Sequence, residues 1–292
     1  MSTIDDSMSG RVCMVTGATS GIGLVTAQAL AQMGATVILV ARSAEKGAAT
    51  VERIKDETDS TEVEYMLADL SIQSEVHRLA EQFERRHDCL HVLVNNAGAV
   101  FVARQESADG IEMTFALNHL AGFLLTNLLL DRMKASGQAG ASARVVNVAS
   151  ATHRKKVLDF DDLERRKRRY AFMDVYGCSK LANILFTYEL AHRLEGTHVT
   201  ANALHPGFVA TNLGANHPLS RLFKPLVNCL AITPEEGAQT SIYLASSPEV
   251  EGVTGKYFGK CRAVPSSEES YNAEAARRLW EISAQMTGLE TD

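Results

Sequence analysis

Short apolar runs alternate along the chain with longer stretches in which apolar positions recur at helical spacing. Arg11–Thr16, Thr36–Ala41, Val63–Leu67, Leu90–Val94, Arg144–Ala149 and Val199–Leu204 have strand length and are apolar almost throughout. Between them, Ile22–Met33, Ala44–Glu57, Ile72–Arg86, Ile111–Lys134 and Val175–Leu194 carry the helical period, with an irregularity near Phe115 and a stop signal at Gly34. Beyond residue 204, Glu235–Ser246 and Ala273–Met286 read as helices and Gly255–Phe258 as a short strand. Strands that are apolar on both faces and alternate with helices predict a parallel sheet covered on both sides. Right-handed crossovers make it doubly wound. The expectation is an α/β Rossmann-type fold of about seven strands, formed as one domain over 1–292. Two segments lack a clean period. One is an insert at about 151–175; the other is a lid at about 208–232, which holds Pro218 and Pro225 and follows Pro206.

Composition narrows the function classes. The chain has 292 residues and a net charge of −6, which argues against nucleic acid as the main partner. With 46% hydrophobic and 22% charged residues it is ordinary globular material, long enough to bury a core without staples. Cys13, Cys89, Cys178, Cys229 and Cys261 form no C-x-x-C pair, which suits a reducing, cytoplasmic setting better than a disulfide framework. Residues 1–10 carry two acids and no apolar core, so no secretory signal is expected. The most apolar stretch, Leu120 to Leu130, is too short to span a bilayer, so no transmembrane segment is expected either.

The first strand runs into Thr16-Gly17-Ala18-Thr19-Ser20-Gly21-Ile22-Gly23 and then a helix. Glycines permit a tight turn and close approach of backbone to a pyrophosphate, and the helix N-terminus supplies free N–H groups and a positive dipole end. Strand, glycines and helix occur in the order a nucleotide site requires, although glycines also turn chains for structural reasons alone.

The T-G-x-x-x-G-x-G spacing resembles that of the short-chain dehydrogenase/reductase family, and the resemblance continues down the chain. Asn95-Asn96-Ala97-Gly98 follows the fourth strand where that family has N-N-A-G. Asn118 lies on the next helix, and Ser150 ends the fifth strand. Tyr176-Gly-Cys-Ser-Lys180 matches Y-x-x-x-K, and His205-Pro206-Gly207, with Val209 and Thr211, follows the sixth strand. Ser150 and Tyr176 are 26 positions apart, about twice the family's usual gap. That long insert, N-H-L-A-G-F-L-L-T at Asn118–Thr126, S-K-L-A-N at Ser179–Asn183 and R-L-W near Trp280 resemble the branch of retinol dehydrogenases numbered eleven to fourteen and the WW-domain oxidoreductase. Vertebrate members of that branch carry an N-terminal membrane anchor, and no such pattern is read at the start of this sequence.

The resemblance implies an enzyme acting on CH–OH groups with a nicotinamide acceptor. It assigns Tyr176 as general acid/base and Lys180 as ribose ligand and modulator of the phenol. It assigns Ser150 as orienter of the substrate oxygen and Asn118 as holder of a relay water. The chemistry is coherent. Tyr176 and Lys180, four apart on a helix, project from one face. A phenol with a pKa near ~10 needs a nearby cation to exchange a proton at neutral pH. A serine hydroxyl can steady a developing alkoxide.

For the cofactor, the implied contacts are Gly17, Thr19, Ser20, Gly21, Ile22, Gly23, Arg42, Asp69, Leu70, Asn96, Ala97, Gly98, Asn118, Tyr176, Lys180, Pro206, Gly207, Val209 and Thr211. An NAD site places a carboxylate at the end of the second strand. Here Ala41 stands there, followed by Arg42, which could pair with a 2′-phosphate. NADP(H) is therefore expected over NAD(H), although Ser20 stands where many NADP-preferring relatives carry a basic residue. Arg42 could also be an ordinary surface charge, and Asp69 either accepts from the adenine amine or caps the next helix.

Phe101, Phe160, Phe172, Phe208, Leu213, Leu222 and Phe223 lie in segments that could cover the nicotinamide, which would suit a small hydrophobic carbonyl or alcohol; packing within loops is the alternative. Arg154, Lys155, Lys156 and Arg165–Arg169 form a basic cluster. It either attracts an anionic surface or is a solvated face balanced by Asp159, Asp161, Asp162 and Glu164. His153, His205 and His217 show no metal spacing and read as structural or solvent-facing; no metal is expected. The resemblance implies dimers or tetramers built from the helices that hold Asn118 and Tyr176, unless the insert blocks that packing. Two other functions stay open: a non-catalytic NADP(H) sensor or scaffold, and a reductase in a specialised biosynthetic pathway.

Overall fold

A computed structural model describes residues 6–207 and 232–290. Its eight strands are β1 (Val12–Thr16), β2 (Thr36–Ala41), β3 (Val63–Leu67), β4 (Val92–Asn95), β5 (Ala143–Val148), β6 (Val199–Leu204), β7 (Lys256–Gly259) and β8 (Arg262–Ala263). They form one sheet in the order β3-β2-β1-β4-β5-β6-β7-β8. The first seven run parallel, and β8 closes the edge antiparallel to β7. β8 is one strand beyond the expected seven; its two residues are exposed, so no apolar run marked it.

The helices are α1 (Gly21–Gln32), α2 (Ala44–Thr58), α3 (Gln73–Arg86), α4 (Met113–Leu128), α5 (Leu130–Ser136), α6 (Phe172–Arg193), α7 (Pro234–Ser246) and α8 (Ala273–Thr287). The strands alternate faces as their period requires. Met14, Ile38 and Val40 face a layer that includes Phe83 of α3, Phe123 of α4, Phe186 of α6 and Trp280 of α8. Cys13, Val15, Val37 and Leu39 face the other layer, with Leu30 of α1, Ile54 of α2 and Leu244 of α7. Burial on both faces explains why the strand segments read as near-continuous apolar runs.

No single helix among the described residues is long and apolar enough to cross a membrane. α4 and α5 reach that composition only together, and they are bent by 54° at their junction. α6 starts three residues before the expected Val175, because Phe172 and Met173 are helical yet exposed and Ala171 offers no side-chain cap.

The strand order reverses between β1 and β4. In such sheets ligands bind in the crevice at the strands' C-terminal ends, beside this reversal. The turns after β1, β4, β5 and β6 open at that edge, and they hold the glycine turn, Asn95–Gly98, Ser150 and His205–Gly207. The loop expected over 208–232, with Phe208, Val209, Thr211, Leu213, His217, Leu222 and Phe223, lies outside the described residues except for Ile232.

Candidate active site

The turn after β1 is built by backbone freedom. Gly17 and Gly21 have φ of +63° and +57°, a region that side chains disfavour. A Cβ on Gly23 would lie 2.4 Å from both the Asn96 amide nitrogen and the Gly17 carbonyl oxygen. α1 opens at Gly21 with no acidic residue in its first turn. Its first N–H groups lack helical partners and point out of the turn, as anion binding requires. Thr19 is half-buried and Ser20 exposed, its side chain making no cap bond.

Asn96 and Thr16 staple this turn to the one after β4. The Asn96 amide donates to the Thr16 carbonyl at 2.8 Å and the Gly17 carbonyl at 3.2 Å. The Thr16 hydroxyl donates to the Val94 carbonyl and accepts from the N–H groups of Asn96 and Ala97. Asn96 therefore acts on the glycine turn through its side chain, leaving the Ala97–Gly98 backbone at the crevice.

Asn118 sits in a π-helical turn, Ala116–Leu120, within α4. Such a turn wedges an extra residue into a helix and is common at functional sites; it is the physical form of the irregularity read near Phe115. The helix start is held by Glu112, fully buried, whose carboxylate accepts from the N–H groups of Thr114 and Phe115 and from the Tyr170 hydroxyl. Sequence reading did not single out Glu112. Its signal was an acid at the head of an amphipathic helix, an N-cap pattern.

Ser150 closes β5 and stands before a 3-10 turn, Ala151–His153, whose Thr152 N–H donates to its hydroxyl oxygen at 3.2 Å. On α6, Tyr176 and Lys180 face the same crevice. The Ser150 hydroxyl stands close enough to the Tyr176 phenol to pull its pKa down against the larger effect of burial. Lys180 Nζ lies 5.6 Å from the Tyr176 ring centroid and donates to the Val148 carbonyl at 2.9 Å. A Cβ on Gly98 would stand 3.2 Å from Asn118 Oδ1 and 3.4 Å from Lys180 Nζ, so the turn after β4 leaves room for both. Ser179, also missed in the sequence, links the set: it accepts from Asn118 Nδ2 and donates to the Tyr176 carbonyl. Asn118, Ser150, Tyr176 and Lys180 are thus brought together.

Burial dominates the electrostatics. It pushes the Tyr176 phenol up to about 12, against a smaller downward pull from the Ser150 hydrogen bond. It pulls the Lys180 ammonium down to about 8. At neutral pH the phenol holds its proton and the ammonium is mostly charged, so the pair presents an acid beside a cation.

Ala41 ends β2 with Arg42 exposed beyond it, and Ser43 caps α2 through the Lys46 N–H. Asp69 Oδ1 accepts from the Ser71 N–H and hydroxyl, which builds the turn into α3. Leu70 packs into the core beside it. Pro206 is half-buried and Gly207, with φ of +89°, is exposed.

Half of the basic cluster is ion-paired. Lys156 and Arg165 pair with Asp174, Arg166 with Glu106 and Glu164, and Arg168 with Asp159. Arg154, Lys155, Lys167 and Arg169 form no ion pair among the described residues. Phe160 packs with Leu158 and Leu163 and carries the Arg278 guanidinium 4.7 Å over its ring, so it serves the insert's own packing. Phe101 is half-buried, whereas Phe172, one turn before Tyr176 on α6, is 40% exposed.

The chain is similar to known proteins over most of its length. The short chain dehydrogenase family matches residues 11–220. The chain is 44% identical over 284 residues to human polyprenol dehydrogenase, spanning 96% of this chain and 86% of that one. It is 41% identical over 296 residues to mouse retinol dehydrogenase 14, spanning 97% and 87%. Among solved structures, an uncharacterised protein of Mycobacterium paratuberculosis superposes with a TM-score of 0.78 at 34% identity, covering 97% of this chain and 96% of that chain. The RhlG/NADP active-site complex of Pseudomonas aeruginosa superposes with a TM-score of 0.69 at 30% identity, covering 88% and 96%.

Proposed function

The chain belongs to the short chain dehydrogenase family, and from that membership we propose that it is an NADP(H)-dependent oxidoreductase of hydrophobic aldehydes, ketones or alcohols. The observation that carries the reading is the convergence of Ser150, Tyr176 and Lys180 on one crevice, with Asn118 behind them.

The cradle fits a dinucleotide. Gly17 and Gly23 stand where any Cβ would collide, and the start of α1 offers N–H donors to a pyrophosphate. Ala41 leaves no carboxylate to repel a 2′-phosphate, and Arg42 is positioned to pair with one. The NADP complex of the Pseudomonas relative supports that choice over NAD(H). Lys180, with its Nζ between Val148 and Gly98, is positioned to bond a ribose hydroxyl.

When bound, the nicotinamide supplies or accepts the hydride. The protein's residues handle the proton. Ser150 and Tyr176 hold the substrate oxygen between two hydroxyls, and Tyr176 delivers its proton as that oxygen gains charge. Because the phenol keeps its proton at neutral pH, the resting site is set for reduction. In the oxidative direction the Lys180 cation stabilises the phenolate that must form. Asn118, through the π turn, holds the position of a relay water.

The relatives act on long isoprenoid alcohols by name, polyprenol and retinol. The exposed Phe172 and Val102 near the crevice suit a substrate with an apolar chain. The test is NADPH oxidation, followed by the loss of reduced-nicotinamide absorbance, against aldehydes and ketones that include all-trans-retinal and a polyprenal, with NADH in parallel. Tyr176→Phe is expected to abolish turnover and keep NADPH binding. Tight NADPH binding with no turnover across the panel would favour a sensor or a specialised biosynthetic substrate instead.

A further inference from the structure

Directly behind the candidate catalytic serine lies a histidine that the proton chemistry above does not use. His153 is fully buried at the end of the 3-10 turn after β5. Its Nδ1 is 2.7 Å from the Ser150 carbonyl oxygen, and its Nε2 is 3.0 Å from the Ser267 N–H. A backbone N–H only donates, so Nε2 carries the lone pair; Nδ1 then holds the proton and gives it to Ser150. The Ser150 carbonyl also accepts from the His153 N–H at 3.2 Å, so one residue supplies both of its donors. Burial keeps the ring neutral, and Tyr257 packs against it edge-on with centroids 5.0 Å apart.

The far end of this link is anchored on the catalytic helix. Ser267 precedes a 3-10 turn, Glu268–Tyr271. Its neighbour Ser266 is bonded to the Ser270 and Tyr188 hydroxyls, and Tyr188 lies on α6, the helix that carries Tyr176. Hydrogen bonds joined by the Ser266–Ser267 peptide bond therefore run from the backbone of Ser150 through the His153 ring to the helix of Tyr176.

We propose that His153 is a positioning residue, a neutral imidazole clamp that fixes the Ser150 backbone relative to α6 and thereby sets the meeting of the Ser150 and Tyr176 hydroxyls. The inference rests on the reading that these two hydroxyls hold the substrate oxygen. Misplacing a reacting group by about 1 Å can lower turnover on the order of 100-fold. The clamp acts on turnover, not on the dinucleotide cradle, which lies on other turns.

The test is a double-mutant cycle on the full chain with NADPH and the best aldehyde of the panel. His153→Phe is expected to lower kcat about 10- to 100-fold while KM for NADPH stays within about twofold. His153→Gln, which keeps one amide donor and one acceptor, is expected to recover most of that loss. Ser267→Pro removes the donor to Nε2 and sets a ring carbon in its place, which pushes the imidazole off its position; Ser267 has φ of −76°, which proline adopts. It is expected to reproduce the kcat loss, and with His153→Gln it carries the test should His153→Phe fail to fold. In a Ser150→Ala background, His153→Phe is expected to cause no further loss, because the clamp acts through that serine. An equal loss in both backgrounds, or an unchanged kcat in all the clamp variants, would overturn the proposal. Full turnover in Ser150→Ala alone would instead overturn the reading beneath it.

Discussion

Asn118 and Ala99 exchange two hydrogen bonds: Asn118 Nδ2 donates to the Ala99 carbonyl at 3.0 Å, and Asn118 Oδ1 accepts from the Ala99 N–H at 2.8 Å. An amide side chain thus completes the backbone of a turn that no strand or helix pairs. The same Nδ2 reaches Ser179 on α6. One buried residue therefore sets the turn after β4, the π turn of α4 and the catalytic helix against one another.

Replacing that residue by leucine keeps its size and removes all three bonds. Each unpaired buried backbone group costs about 1–3 kcal/mol. Asn118→Leu is expected to lower stability in urea by about 2–5 kcal/mol and kcat by at least about 100-fold. A variant that loses stability but keeps its turnover would make the pairing structural alone.

Gly23→Ala puts a methyl group 2.4 Å from Asn96 Nδ2 and from the Gly17 carbonyl. The helix tolerates alanine well, so propensity favours the change; the collision opposes it. Separating the two turns displaces the first N–H groups of α1. NADPH affinity is expected to fall at least about 100-fold, measured by isothermal titration. Unchanged affinity would remove the glycine turn from the cofactor site.

Much of this architecture was legible in the sequence, and the reason is physical. Strands buried on both faces declare themselves as apolar runs, whereas Tyr176 and Lys180, one helical turn apart, stand out only through the resemblance of the ordered motifs around them. Long-range polar pairing does not. Tyr170 meets Glu112 across 58 residues and His153 meets Ser267 across 114, and each partner alone looks like a surface residue. Thus the insert read as a basic segment, whereas the structure makes it a strap whose Tyr170 completes the cap of the Asn118 helix. Likewise β8 and the first turn of α6 are exposed, so burial left no pattern there to read.

Cofactor choice turns on two neighbouring residues. Arg42 is exposed at the end of β2, with no carboxylate at Ala41. A charge-assisted hydrogen bond to a phosphate contributes about 1.5–3 kcal/mol, or on the order of 10- to 100-fold in affinity. Arg42→Ala is expected to raise KM for NADPH by that factor and leave KM for NADH unchanged. Ala41→Asp is expected to go further and make NADH the better cofactor. Equal effects on both cofactors would remove Arg42 from the 2′-phosphate site.

Lys180 gives a prediction with a definite sign in pH. Burial lowers its ammonium from 10.5 to about 8. Below about pH 8 the folded and unfolded chains both carry the proton, and the penalty for the buried charge is present in full, about 3 kcal/mol. Between about 8 and 10.5 the unfolded lysine keeps its proton while the folded one releases it. The unfolded state then binds more protons, so stability rises with pH. Lys180→Met has no such titration, and it leaves the Val148 carbonyl unpaired at a cost of about 1–3 kcal/mol. Near neutral pH the two effects oppose each other, and the variant is expected to match or slightly exceed the wild type in stability while losing turnover. Raising the pH to about 10 is expected to favour the wild type by about 2–3 kcal/mol relative to that baseline. Urea midpoints of both proteins without cofactor, taken across this range, measure the difference, and other groups that titrate there cancel because both proteins carry them. A difference that stays flat with pH would mean that Lys180 holds its proton throughout, a cation stabilised by neighbours strongly enough to offset its burial.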